Sequence, residues 1–427
     1  MAIRLKWTYT EFGTGLIWLI WIAVQIAMII TFSPEPLASD SQVYISVASA
    51  MAERATWYPT HAQVEGTDFI STYIIYPGLI NFFAFLIRIF GTYKAIFWAN
   101  LVFNILLSLS VRRLASTICN KQTGHLAMIL FCSCPVYVTD VALALSEIPA
   151  CAFAYAAAAC CTFKNRWGDV AAGLLCAVAI YIRPTMLLVA LAIILYFLFA
   201  KCAKRYVMSF GVSFILSVVA IIGINYYISD GYLFYGSNTL GVNMYIGAND
   251  EASGTYHIPL NQDSLDEELR GLDSFQCDSV FKSKAISWIK ANPHKWGELG
   301  WAKIKYQFTP DTNIGMGRAS TNPILTDNTG YIKKIIKLIW LTYPVLWFPV
   351  ICVLAIAGMI FLFKTMKWRM AALLLPIAAT ILLCILTVGA YRYNATFFPI
   401  LILFAAATAT RIQSRFTPTL SIFGGGR

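Results

Sequence analysis

The sequence predicts an all-α polytopic membrane protein of about ten transmembrane helices, with further helices lying on its outer face and one large outer loop. Three observations lead there. Only 12% of the residues are charged and 59% are hydrophobic. Uncharged runs of roughly 15 to 25 residues recur along the chain, the length that crosses a hydrocarbon layer of about 30 Å. The basic residues that give a formal charge of +11 fall between those runs. Anionic headgroups and the positive-inside bias explain them there, and nucleic acid is not a partner this pattern calls for. The eleven cysteines show neither a disulfide framework nor zinc spacing, and Cys277 is the one clear loop cysteine.

The first run, 15–32, carries Trp18 and Trp21 and has no small-residue cleavage site close behind it, so it reads as a retained helix. An outer loop, 33–76, follows. Within it, 42–54 places Val43, Val47, Ala50 and Met51 at helical spacing, which predicts a short helix on the bilayer surface with Asp40 just before its start. The segment 76–90 is apolar but short. If it lies along the outer face as a juxtamembrane helix, one side collects Arg112, Arg113, Lys121, Lys164, Arg166, Lys201, Lys204, Arg205, Lys364, Lys367 and Arg369, together with Arg4 and Lys6. A crossing at 76–90 would invert that bias, so both termini are expected in the cytoplasm. The remaining expected spans are 95–111, 124–138, 148–163, 170–182, 186–200, 207–228, 335–363, 370–390 and 396–410.

Three units result: an N-terminal membrane module, 1–228, a large outer loop, 229–334, and C-terminal membrane helices, 335–427. The large loop opens with Gly231, Gly236, Gly241, Gly247 and Gly254 among Asn and Tyr residues, which favours turns over regular structure. Acidic 264–270 looks helical, and amphipathic helices are expected over 275–291 and 294–308, capping the bundle.

This topology brings ionisable groups from separate loops to one membrane face. Asp40, at the lip of the bilayer, stands where a general base could meet a hydroxyl while the second reactant arrives dissolved in lipid. An N-cap is the plainer role for it. Glu147 opens a span ahead of Pro149; it serves either as a second active-site acid or as a partner of that helix's dipole. Arg183 and Arg392 sit at outer helix boundaries against the inside bias. Each could snorkel to headgroups, but as a pair they suit a phosphate. Small, polar and aromatic side chains in 238–250, including Asn243, Tyr245 and Asn249, suit a sugar, although a solvated loop is the ordinary alternative. Tyr44, His61, Asp68, Tyr76, His257, Tyr391 and Tyr393 complete the candidate substrate contacts. The chain has no P-loop, no G-x-S-x-G elbow and no H-E-x-x-H helix.

Taken in order, Ser39-Asp40-Ser41-Gln42-Val43-Tyr44, Tyr76-Pro77-Gly78 ending in Phe90-Gly91, Glu147 before Pro149, Arg183-Pro184, the loop from Asn243 to Asn249 and Arg392-Tyr393 form a series. That series resembles the GT-C superfamily of integral-membrane glycosyltransferases that use polyprenyl-phosphate sugars. It looks closest to the group of protein O-mannosyltransferases, the lipid A aminoarabinose transferase and bacterial surface-polysaccharide transferases. The resemblance implies Asp40 as catalytic base with Glu147 as the second acid, and Arg183 and Arg392 as ligands of the donor phosphate. It departs from many relatives in Ser41, where a second acid often follows, and in lacking a Lys beside Pro77.

The implied reaction moves one sugar, with inversion, from undecaprenyl or another polyprenyl phosphate to a glycan, lipid or protein hydroxyl, in cell-surface glycan or lipopolysaccharide modification. The implied setting is a bacterial inner membrane with the site facing the periplasm. No cofactor is required; a divalent metal is compatible with the pattern, but nothing points to one. The rival readings are a surface-polysaccharide polymerase or ligase, a lipid or solute transporter, and a non-catalytic scaffold. A transporter would show charged or broken helices at mid-membrane.

Overall fold

The computed structural model describes residues 11–32, 39–59, 74–199, 204–229, 231–256, 267–310 and 331–416. His61, Asp68 and His257 lie outside the described residues. The helices are α1 (Glu11–Phe32), α2 (Ser39–Glu53), α3 (Pro77–Phe90), α4 (Ala95–Ile118), α5 (Lys121–Cys132), α6 (Pro135–Thr139), α7 (Glu147–Cys161), α8 (Arg166–Ile182), α9 (Leu187–Phe199) and α10 (Lys204–Ile228). They continue with α11 (Leu240–Gly247), α12 (Ser274–Ala291), α13 (Pro293–Phe308), α14 (Tyr331–Met366), α15 (Arg369–Leu386) and α16 (Phe398–Phe416). Short 3₁₀ turns lie at Asp140–Ala142, Pro184–Met186 and Tyr391–Thr396.

The expected spans fall on helices, with 124–138 divided between α5 and α6, and the long uncharged runs are the reason. By length and composition, five helices among the described residues suffice to cross a membrane: α1, α4, α10, α14 and α15. A sixth arises if the Lys121–Cys132 and Pro135–Ala142 pair, bent by 56°, is one broken span. The bend falls at Pro135, which removes a backbone donor. The helices α7, α8, α9 and α16 fall short of that length-and-hydropathy test and pack among the others. One continuous apolar core joins α1 through α9 to α14 and α16.

Buried polar side chains fasten this core where α1, α4 and α6 meet. Asn104 Nδ2 donates to the Tyr137 carbonyl at 2.8 Å and to Gln25 Oε1 at 2.9 Å, and Gln25 Nε2 reaches the same carbonyl at 3.0 Å. Asn100 Nδ2 donates to the Leu143 carbonyl at 2.7 Å. These bonds satisfy carbonyls in α6 and just past the 3₁₀ turn Asp140–Ala142. Gly173 lets α8 and α10 touch: a Cβ there would lie 2.5 Å from the Phe210 carbonyl oxygen.

The outer region differs from the turn-rich expectation in one element. Residues Leu240–Gly247 form α11, held against α12. Its glycines serve close packing rather than turns: a Cβ on Gly247 would meet the Thr387 carbonyl oxygen at 1.7 Å. Helix α13 packs on α15, Asn394 Nδ2 donates to the Gln307 carbonyl at 2.6 Å, and Gly389 N donates to the Gly254 carbonyl at 2.9 Å. These bonds tie the outer region to the segment that carries Arg392.

Candidate active site

Four distant stretches meet at one end of the bundle. Helix α2 begins at Ser39, so Asp40 lies in its first turn rather than before it, where the helix dipole favours an acid. Its Oδ2 is 2.5 Å from Arg392 Nη2, and the two side chains are 35% and 31% exposed. Beneath this open pair lies a closed one: Glu147 Oε1 is 3.0 Å from Arg183 Nη1, with exposures of 3% and 5%. Tyr393 lies against both guanidinium groups, its ring centre 5.5 Å from Arg183 and 5.6 Å from Arg392. Tyr76 faces Arg183 at 5.9 Å, and Tyr44 meets the Tyr76 ring edge-on at 6.0 Å.

Local structure explains each placement. Pro184 forces Arg183 into an extended conformation (φ −149°, ψ 110°), which ends α8 there and leaves the side chain free of the helix. Arg183 then donates to Ser146 Oγ at 2.5 Å and to Thr185 Oγ1 at 3.2 Å, so several of its donors are occupied. Ser41 accepts from the Ala144 backbone at 2.9 Å, which sets the first turn of α2 against the loop leading to Glu147. Arg392 rides on the turn Tyr391–Thr396, whose carbonyls are taken up by Tyr137 Oη on Ala395 at 2.7 Å and Tyr155 Oη on Thr396 at 2.8 Å. Cys151 Sγ also lies 3.4 Å from the Ala395 carbonyl oxygen. The guanidinium is therefore preorganised by a braced backbone.

Electrostatics follow from burial. Burial opposes charge on Arg183, but the carboxylate of Glu147 and the rings of Tyr76 and Tyr393 more than offset it and raise its pKa. Burial raises Tyr44 well above the ordinary tyrosine value, and Tyr76 also rises, with Arg183 opposing. Both phenols are therefore hydrogen-bond donors at neutral pH. Tyr256 is likewise raised, by partial burial first and then by the charge of Asp40.

The structure thus brings together Asp40, Glu147, Arg183, Arg392, Tyr44, Tyr76 and Tyr393. It does not bring in Asn243, Tyr245, Asn249 or Tyr391. Asn243 Nδ2 is spent on the Thr239 carbonyl at 2.7 Å and Asn249 Nδ2 on the Tyr245 carbonyl at 2.8 Å, while Tyr245 stacks with Phe281 at 5.6 Å. Tyr391 points into the core, between Phe348 and Phe398. Ser41, Ser146, Tyr256 and the bracing Tyr137 and Tyr155 were not foreseen; hydroxyls standing inside apolar runs were the available signal for the last two. Among the described residues no group of three or more His, Cys, Asp or Glu is placed to hold a metal ion.

Residues 77–227, roughly a third of the chain, match the family model described as dolichyl-phosphate-mannose-protein mannosyltransferase. No curated protein sequence matches. Among solved structures, the Archaeoglobus fulgidus oligosaccharyltransferase in its apo form is similar, with a TM-score of 0.54 and 12% identity over 96% of this chain and 51% of that one. The same enzyme complexed with zinc and sulfate gives a TM-score of 0.52 and 14% identity over 94% and 49%. The chain thus spans about half the length of those oligosaccharyltransferase chains. The comparisons thus give a fold shared with those structures over nearly the whole chain and a mannosyltransferase family match confined to residues 77–227. The stretch matched by that family model runs from the start of α3 almost to the end of α10.

Proposed function

We infer that the chain is an inverting glycosyltransferase that moves a single sugar from a polyprenyl phosphate, with undecaprenyl phosphate the preferred carrier, to an acceptor hydroxyl at the outer membrane face. The setting is cell-surface glycan or lipopolysaccharide modification in a bacterial inner membrane, with the site toward the periplasm. The observation that carries this reading is the convergence of an open Asp40–Arg392 pair on a closed Glu147–Arg183 pair.

Asp40 takes the proton of the acceptor hydroxyl as its oxygen attacks the anomeric carbon. The bond from that carbon to the phosphate oxygen breaks, and polyprenyl phosphate leaves with the electron pair. Arg392, a third exposed, is the direct contact for the phosphate. Arg183 holds Glu147 and the Tyr393 ring in place and reaches the phosphate only with the donors that Glu147, Ser146 and Thr185 leave free. The acid Glu147 orients rather than transfers protons, because its carboxylate is enclosed. Guanidinium groups can offset the charge of a departing monophosphate, so the reading requires no metal.

The fold likeness to an oligosaccharyltransferase favours one rival, transfer of an oligosaccharide from a lipid diphosphate. Purified chain given either class of lipid-linked donor separates the two. Monophosphate-sugar turnover that falls on the order of 10² to 10⁴ in Asp40→Asn supports the proposal. Turnover confined to the diphosphate donor, or an Asp40→Asn protein of near-normal rate, rejects it.

A further inference from the structure

A cavity of about 340 Å³ lies between α4, α7, α9, α15 and α16, within the range of ligand sites. Its walls are apolar: Val189 and Ile400 lie on the side toward Asp40, and Leu114, Ala158, Ile193 and Leu403 line its length. Its charged lining residues are Lys164, Asp169 and Arg369, and all three lie at the other end. Asp169 and Arg183 stand at opposite ends of α8, about 20 Å apart along the helix. Lys164 and Arg369 are exposed and, among the described residues, form no ion pair.

Asp169 is the unexpected group. It is 1% exposed, and its Oδ2 has no hydrogen-bond partner, although it lines the cavity. The dipole of α8 accounts for an acid in the first turn. It does not account for an unpartnered buried carboxylate oxygen, which is costly to leave unmatched. Two free cations, one carboxylate lacking a donor and an apolar slot match a ligand with an anion, a protonated amine and a hydrocarbon chain. A donor tail would enter from the Asp40 end, where the cavity offers no charge for a headgroup.

We propose that this cleft binds an aminophospholipid of the leaflet opposite Asp40. An acyl chain lies between α7, α9 and α16, the phosphate lies between Lys164 and Arg369, and the ammonium group donates to Asp169 Oδ2. Phosphatidylcholine shares the phosphate and the chains but has no N–H donor. Phosphatidylglycerol has no cation.

The test is native mass spectrometry of the purified full chain titrated with each lipid, joined to cross-link mapping with a phosphatidylethanolamine carrying a photoactivatable acyl chain. Phosphatidylethanolamine is expected to bind about tenfold more tightly than chain-matched phosphatidylcholine, a factor equal to ~1.4 kcal/mol. Asp169→Asn should abolish that preference, and the surface variant Lys164→Gln/Arg369→Gln, which leaves the buried carboxylate alone, should weaken both lipids. Cross-links should fall on α7, α9 and α16. Equal affinity for the two lipids, a preference surviving in Asp169→Asn, or cross-links elsewhere would overturn the proposal. Displacement of the phospholipid by polyprenyl phosphate would do so too, by giving the cleft to the donor's tail. If Asp169→Asn does not fold, an unchanged affinity in the lysine–arginine variant is by itself sufficient to reject the site.

Discussion

Among the described residues, replacing Arg183 by leucine removes the one cation paired with Glu147, whose carboxylate is 3% exposed and keeps a long contact to Ser146 Oγ at 3.4 Å. A buried acid stripped of its partner costs about 3–5 kcal/mol, whereas replacing both members of such a pair with apolar groups is neutral or stabilising. Arg183→Leu should therefore lower the apparent melting temperature in detergent sharply, and Arg183→Leu/Glu147→Leu should recover most of that loss. Donor turnover should be lost in both. Arg183→Lys should lie between them in stability, since an ammonium cannot serve Glu147, Ser146 and Thr185 with a planar fork. The readouts are thermal unfolding and transfer from a lipid-linked sugar, taken on the same preparations. A single variant as stable as the parent would refute the buried pair, and a double variant with restored turnover would refute any part for Arg183 and Glu147 beyond folding.

Three further outcomes are expected. Arg392→Ala should change stability by under about 1 kcal/mol, because its ion pair is open to solvent, while raising KM for the lipid donor in a transfer assay. Tyr137→Phe should cost about 1–3 kcal/mol by leaving the Ala395 carbonyl with only the weak Cys151 thiol as donor, and turnover should fall as Arg392 loses its brace. Lys303, fully buried with its Nζ on the Ile385 carbonyl at 2.9 Å, is pushed by burial down to about 8. An unfolded lysine titrates near 10.4, so between those values the unfolded chain holds more protons and stability rises with pH. The gain, on the order of 3 kcal/mol across the window, should flatten in Lys303→Met when melting is followed from pH 7 to 10.

The helices were legible because lipid imposes a period and a length that few other environments do. Runs such as 207–228 and 370–390 differ from α10 and α15 by no more than four residues at either end. The outer region was legible only where amphipathic periodicity survived, as in α12 and α13. Helix α11 escaped notice because glycine is a turn signal locally, yet Gly241 and Gly247 are there so that backbones can touch, a tertiary demand with no local signature. At the site, the charged residues stood out because charge is scarce at a bilayer boundary. That Asp40 pairs with Arg392 and Glu147 with Arg183, rather than the arginines forming one shared clamp, depends on contacts across more than three hundred residues in the first case. The hydroxyls of Tyr137 and Tyr155 stood out inside apolar runs, but their partners, the Ala395 and Thr396 carbonyls, lie more than two hundred residues away.

The most direct measurement is a cryo-electron microscopy structure of the chain in lipid with a polyprenyl-phosphate sugar bound. The account predicts the phosphate within about 3 Å of the Arg392 guanidinium and the sugar's anomeric carbon facing Asp40 from the side opposite the phosphate. A headgroup held away from Arg392, or an anomeric carbon that Asp40 cannot face, would contradict it.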